Sequence, residues 1–393
     1  MNKVVSLVLV AITFCGLCLF TGLANDYNSN QTTVQFASWG SESELKILKP
    51  LIENFQKENP QIHVEFLHIP QNYFQKIHLL FASNTAPDVI FINNQYLPVY
   101  ANAGVLEDLS GYEEEFQFDD FYKKSLESLK WNGKIYAVPR DVSNLIVFYN
   151  KNIFNKSGIK YPSSDWNFDN FLLTAQKLTD NDVFGVSFEE TPLLYLPYLT
   201  SNGGWSRDDT ENYFVKDVLS RPENKFGLDF YANLRKKYHV APKRDEVASA
   251  TMAQMFLQER IGMYISGRWM VPKFREEAKF DWDVVEFPKG RKGSIVPMDA
   301  SGWAIAKASK HKQEAIKLVR YLSGANSSYE FTRSGLIVPA RIDISKSAFL
   351  DGKRPKNAQA FLNIIETSVP TPVTVNYREI IDDLKKRTEY LFN

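Results

Sequence analysis

The chain has 393 residues, 46 basic and 46 acidic side chains, and 44% hydrophobic residues. The balanced charge gives no support to a nucleic-acid or anionic-membrane partner. Hydrophobic content is that of a globular protein, and the length is too great for one core and comfortable for two domains.

The amino terminus sets the compartment. Lys3 supplies a short basic region, residues 4–20 are an almost unbroken apolar run, and Gly22 and Ala24 place small residues before a cut after Ala24. That is the layout of a secretory leader. An apolar stretch of about 18 residues could also just span a bilayer, but polar residues 25–32 follow with no cluster of positive charge. Cys15 and Cys18 both lie inside the leader, and neither sits in a lipid-anchor context. The mature chain is therefore expected to be a soluble periplasmic form with no disulfide, thiolate nucleophile or cysteine metal site.

Strand and helix signals alternate at first. Residues 34–37 read as a short strand running into Ser38-Trp39-Gly40. Ser41 and Glu44 have capping-box spacing, and Leu45, Leu48, Leu51, Ile52 and Phe55 share one helical face before Asn59-Pro60. A second strand is expected around Ile62, Val64 and Phe66, a helix over 73–82, and a fully buried strand over 89–92. This order predicts a parallel sheet covered on both faces, with ligands at the carboxyl ends of its strands. The residues there are Ser38-Trp39-Gly40 and Asn93-Asn94-Gln95. Beyond the Asn132-Gly133 turn, strands are expected over 144–149, 183–188 and 301–306, and helices over 168–178, 191–202, 226–237, 252–258 and 312–322.

A series of motifs then carries a resemblance. Ala86-Pro87-Asp88-Val89 precedes Asn132-Gly133-Lys134-Ile135-Tyr136-Ala137-Val138-Pro139 and Phe148-Tyr149-Asn150-Lys151-Asn152-Ile153-Phe154. Trp166-Asn167-Phe168-Asp169-Asn170-Phe171, Ser201-Asn202-Gly203-Gly204-Trp205 and the run from Arg260 through Gly267-Arg268-Trp269 follow. Ser301-Gly302-Trp303-Ala304-Ile305 and Gly335-Leu336-Ile337-Val338-Pro339-Ala340-Arg341 close the series. In this order the chain resembles the extracellular solute-binding proteins of carbohydrate ABC importers, the maltose-binding-like group, from about residue 34 to 341. One departure is Glu259-Arg260-Ile261-Gly262-Met263, where the family usually carries a Gly-Lys-Ala-Ala-Met-like turn; it concerns packing more than ligand contact.

The resemblance implies an α/β, two-lobed periplasmic-binding-protein fold of type II. Each lobe would be a mainly parallel sheet flanked by helices, with the cleft between lobes. Residues 30–140 with 300–345 would form the first lobe, and 141–299 with 346–393 the second. It also implies a monomer that closes on a sugar, is recognised by a membrane permease, and carries no cofactor and no catalytic group.

A sugar presents apolar C–H faces and a ring of hydroxyls, so aromatic faces and bidentate polar groups are sought. The resemblance places Trp39, Trp205, Trp269 and Trp303 at the cleft; any of them could equally fill a core. Glu44 matches a family carboxylate that bonds hydroxyls, its rival role being the cap with Ser41. Asn93 and Asn94 follow the third strand, facing the cleft or capping the next helix. Asp141 stands at the crossover, Arg140 could pair with a carboxylate across the hinge, and Arg268 adjoins Trp269 as a ligand contact or a structural ion pair.

Other chemistries find less footing. His63 and His68 differ by five positions and point to opposite faces of a strand, so no metal is expected. There is no Gly-x-Ser-x-Gly elbow, His-Glu-x-x-His or phosphate-cradling loop. Neighbouring carboxylates such as Glu189-Glu190 and Asp208-Asp209 point apart, which speaks against a glycoside hydrolase. The fold could also take a polyol, a polyamine, glycerol phosphate or ferric ion. The absence of a Tyr-Tyr pair argues against iron, and Arg140, Arg268 and Arg341 are the basic groups a phosphate would need.

Overall fold

The computed structural model describes residues 31–247 and 250–392. The leader, its expected cut after Ala24 and both cysteines lie outside the described residues. Among the described residues no helix is long and apolar enough to cross a membrane.

The first sheet starts from β1 (Thr32–Ser38), which lies between β2 (Ile62–His68) and β3 (Val89–Asn93) and runs parallel to both. The continuous apolar character of β3 is what a strand covered on both faces requires, and Val89 through Ile92 are all fully buried. Helices α1 (Glu42–Glu58) and α2 (Tyr73–Ala82) make the crossovers, α1 burying the Leu48, Leu51, Ile52 and Phe55 face. A two-residue hairpin, β4 (Lys130–Trp131) and β5 (Lys134–Ile135), precedes β6 (Val138–Ser143).

The chain then leaves this sheet. After Asn144, β7 (Leu145–Asn150) starts a second sheet with β8 (Phe184–Val186), β9 (Ile261–Gly267) and β10 (Trp282–Val285), ordered β10-β7-β9-β8. It returns as β11 (Pro297–Ile305), inserted between β3 and β6, and β12 (Val338–Pro339) extends the β6 edge. A last excursion packs Phe361 on Phe148 of β7 before β13 (Val369–Pro370) comes back beside β11. The expected change of lobe at residue 140 thus falls a few residues before the passage between sheets.

Strands that return from the second sheet enter the first from its open edge, so they run opposite to β1–β3. β11 is antiparallel to both β3 and β6, and β7 is antiparallel to β9 and β10. Each sheet is therefore mixed in direction, with parallel pairs where crossover helices connect the strands. The terminal excursion ends in helices on the second lobe. Tyr195 in α3 (Pro192–Thr200) shares a 3.0 Å hydroxyl contact with Thr388 in α4 (Tyr377–Thr388).

Candidate functional site

The ends of β1, β2, β3 and β6 and the start of β11 meet one edge of the first sheet, facing the second sheet. Two adjoining cavities open there. One, of about 660 Å³, is lined by Trp39, Glu44, Arg140, Asp141, Arg268 and Trp269 among others. The other, of about 280 Å³, is lined by Gln95, Asp299, Tyr377 and Arg378. Ser143 and Trp269 line both, so the two are halves of one cleft.

The first wall is built around Arg140. β6 pairs with β11 with a register shift between Ser301 and Gly302, so that Asp141 and Pro139, not Arg140, oppose consecutive β11 residues. Such a bulge re-aims a side chain, and here it lets Arg140 and its neighbour Asp141 touch. Arg140 Nε donates to Asp141 Oδ2 at 2.7 Å, while Nη1 donates to Glu44. The guanidinium lies over Phe91, Phe331 and Trp303 at 4.6, 5.1 and 5.5 Å. Burial opposes its charge, but Asp141 and Glu44 more than offset this and raise its pKa above the ordinary arginine range. A buried cation with two carboxylates has the partners that burial demands.

Glu44 therefore does not close a capping box. Ser41 stands at the helix start without a side-chain cap bond, and the Glu44 carboxylate is drawn to Arg140 instead. Gly40 makes room for it. Its φ is +126°, and a Cβ there would stand 2.7 Å from Glu44 Oε2. The Ser-Trp-Gly turn after β1 thus places both Trp39 and Glu44 on the cavity. Trp39 is braced by Phe91 at 5.0 Å and Phe74 at 5.5 Å.

The second wall carries Trp269, which is 40% exposed. It follows β9 in a short turn, and its ring folds back over Gly267. A Cβ on Gly267 would lie 1.9 Å from the ring, so this glycine is required by the close approach of the indole. Arg268 beside it is buried, with Nε donating to the Gly335 carbonyl at 3.0 Å.

The smaller cavity was not legible beforehand. Asp299 accepts from Asn94 Nδ2 at 3.0 Å, Gln95 Nε2 at 2.8 Å and the Thr371 hydroxyl at 2.6 Å. Arg378 donates to Gln95 Oε1 at 3.3 Å, and Tyr377 is buried beside it. Burial, and then the Asp299 charge, push the Tyr377 hydroxyl far above its ordinary pKa. It remains a neutral hydroxyl at any physiological pH.

Several expected contacts fall elsewhere. Trp303 is 0% exposed and packs against Phe36 and Phe91, supporting Arg140 from within the core. Trp205 is 1% exposed, packs on Tyr213, and lines a separate 450 Å³ cavity with Trp131. Asn93 accepts from the Tyr96 amide, a local turn bond. Asn94 is buried and fixes Asp299, its Oδ1 also accepting from the Ala300 amide. Arg140 pairs within the first lobe, not across the hinge, and Arg341 pairs with Asp120 at 2.6 Å and Asp343 at 3.1 Å, outside the cleft.

Comparison with known proteins bears on this arrangement. The family model described as "Bacterial extracellular solute-binding protein" matches residues 39–327. A "Multiple sugar-binding protein" of Streptococcus mutans is 24% identical over 334 residues, 78% of this chain and 75% of its own length. Among solved structures, an ABC substrate-binding protein of Listeria monocytogenes in complex with cycloalternan superposes with a TM-score of 0.82 at 28% identity, covering 92% of this chain and 94% of that one. The sugar-binding protein MalE of Xanthomonas citri matches in fold with a TM-score of 0.80 at 23% identity and 92% coverage of both chains.

Proposed function

The chain belongs to the bacterial extracellular solute-binding proteins, and from that premise we propose that it captures a mono- or oligosaccharide outside the cytoplasm and delivers it to an ABC import permease. The observation that carries this reading is Trp269: a half-exposed indole shared by two cavities, with carboxylates, amides and guanidinium groups ranged on either side. An indole face covers the C–H face of a sugar ring, and the polar groups take its hydroxyls. Relatives named for sugars and a structural neighbour solved in complex with cycloalternan support the same class of ligand.

In this reading Trp39, Glu44 and Asp141 contact the ligand from the first lobe and Trp269 and Arg268 from the second, with Tyr377 and Arg378 completing the smaller cavity. With the passage between sheets at Asn144, the border expected at 140/141 moves to 143/144, so residues 30–143 with 300–345 form the first lobe and 144–299 with 346–393 the second, the strands through Ser143 and β13 serving as hinge. Contacts made from both lobes favour a closed state, so affinity and conformation are linked. The protein acts as an exported monomer, its leader removed after Ala24, and performs no chemistry on the sugar. Glu44 and Asp141 both accept from the one Arg140 guanidinium.

A thermal-shift screen over saccharides, polyols, polyamines and phosphate esters tests the proposal. Stabilisation by saccharides with no turnover is the expected result; stabilisation by polyamines alone would reject it.

A further inference from the structure

The cleft's charges are unevenly matched. Arg140 has two carboxylates, and Asp299 has three neutral donors. Among the described residues Arg268 has no carboxylate within ion-pair distance, Asp351 acting on it only from further away. Arg268 is 3% exposed and lines the larger cavity, yet among the described residues its side chain makes a single hydrogen bond, from Nε to the Gly335 carbonyl, and Nη1 has no partner. The guanidinium lies over Phe349 and Phe361 at 4.4 and 5.3 Å, which cover the carbon and leave Nη1 unmatched. The nearby carboxylate, Asp351, is engaged by Arg275 at 3.2 Å.

A buried cation without an anion is costly and is retained where something completes it. Burial, and then the charge of Arg275, push the guanidinium down to about 9, the direction expected of a cation awaiting its counter-charge. The alternative role, an ion pair within the fold, is excluded by the absence of a carboxylate within salt-bridge reach among the described residues. A neutral hydroxyl would satisfy a nitrogen but leave the charge.

Resting on the saccharide reading above, we propose that the ligand is an acidic saccharide, whose anionic group seats against Arg268 while its hydroxyls donate to Glu44 and Asp141 on the facing wall. A uronate carboxylate and a phosphate ester share the chemistry required. Either would meet the terminal guanidinium nitrogens by charge-assisted hydrogen bonds beside the Trp269 ring.

The test is calorimetric titration of the full mature chain with galacturonic acid di- and trisaccharides, the matched neutral galacto-oligosaccharides, and galactose 6-phosphate. The wild type should bind an acidic probe at least tenfold tighter than the neutral one, and whichever acidic probe binds identifies the anion. Arg268→Gln should lose roughly 100-fold for that probe, as truncating one partner of a buried charge pair does, and at least tenfold less than that for neutral sugars, which lose a contact but no counter-charge. Arg268→Lys should retain part of the preference. The melting temperature of ligand-free Arg268→Gln should not fall, because an unpaired buried charge has been removed.

Neutral sugars binding as tightly as acidic ones to the wild type would overturn the proposal while leaving saccharide capture standing, and this arm needs no variant to fold. Equal weakening of both classes in Arg268→Gln would also overturn it. Binding of no saccharide at all would remove both readings together.

Discussion

Replacing Trp269 by alanine removes the one large aromatic face that both cavities share. Its exposed fraction is 40%, and a tryptophan offers roughly 250 Å², so about 100 Å² is available for a ligand to cover. At about 25 cal/mol per Å² this amounts to about 2.5 kcal/mol, or roughly 70-fold in dissociation constant. Titration calorimetry with the best saccharide from the screen reads this directly. A parallel melting curve should show little loss of stability in the ligand-free protein, because the ring is not core. Gly267→Ala provides an independent perturbation that keeps the indole. The new Cβ would stand 1.9 Å from the ring, forcing it off its seat, and should weaken binding by a comparable factor. If Trp269→Ala binds within threefold of the wild type, the stacking argument is refuted, whatever Gly267→Ala does.

Other substitutions separate the cleft from its supports. Trp303→Phe should lower the melting temperature, since it leaves a void in a fully buried cluster at about 1–3 kcal/mol, but it should shift affinity less than Trp269→Ala does; the reverse order would put Trp303 in the site. Gly40→Ala combines a φ of +126° with a Cβ 2.7 Å from the Glu44 carboxylate, so it should cost stability on the order of 1–3 kcal/mol by denaturant titration. Glu189, whose carboxyl is pushed up by burial, tests a pH dependence. With its folded pKa above the unfolded one, the wild type is penalised once pH exceeds the folded value and not below both. Glu189→Gln should therefore raise the melting temperature at pH 7, on the order of 1–3 °C, and leave it unchanged at pH 4; a gain equal at both pH values would contradict the cause assigned.

Much of the architecture could be read along the chain because it rests on local signals. The helix over 73–82 and the buried strand from Val89 follow from periodicity, the Trp39 position follows from a turn ending a strand, and that of Trp269 follows only from the family motif it sits in. The errors came where tertiary contact overrides a local pattern. Ser41 and Glu44 have the spacing of a cap, but spacing alone does not reveal Arg140, 96 residues away and buried against Glu44. Trp303 lies on the same face of β11 as Asp299 and Ser301, yet further from the open edge, under Phe331 and beside Phe91. Distance along the strand, not residue type, decides that it is core. The smaller cavity was invisible because Gln95 and Arg378 meet only after the chain has passed between sheets and returned, 283 residues later. A usable signal existed at Asp299, an acidic residue two positions before Ser301 on a strand whose alternate residues stay partly exposed.

Two lobes that close on a saccharide without altering it should become more compact when the sugar binds and release it unchanged. Small-angle scattering of the mature protein, with and without the saccharide that stabilises it most, tests this most directly when the same sample is afterwards analysed for products. The prediction is a smaller radius of gyration in the presence of ligand and a saccharide recovered intact. An unchanged radius at saturating ligand, or cleaved sugar in the recovered sample, would contradict it.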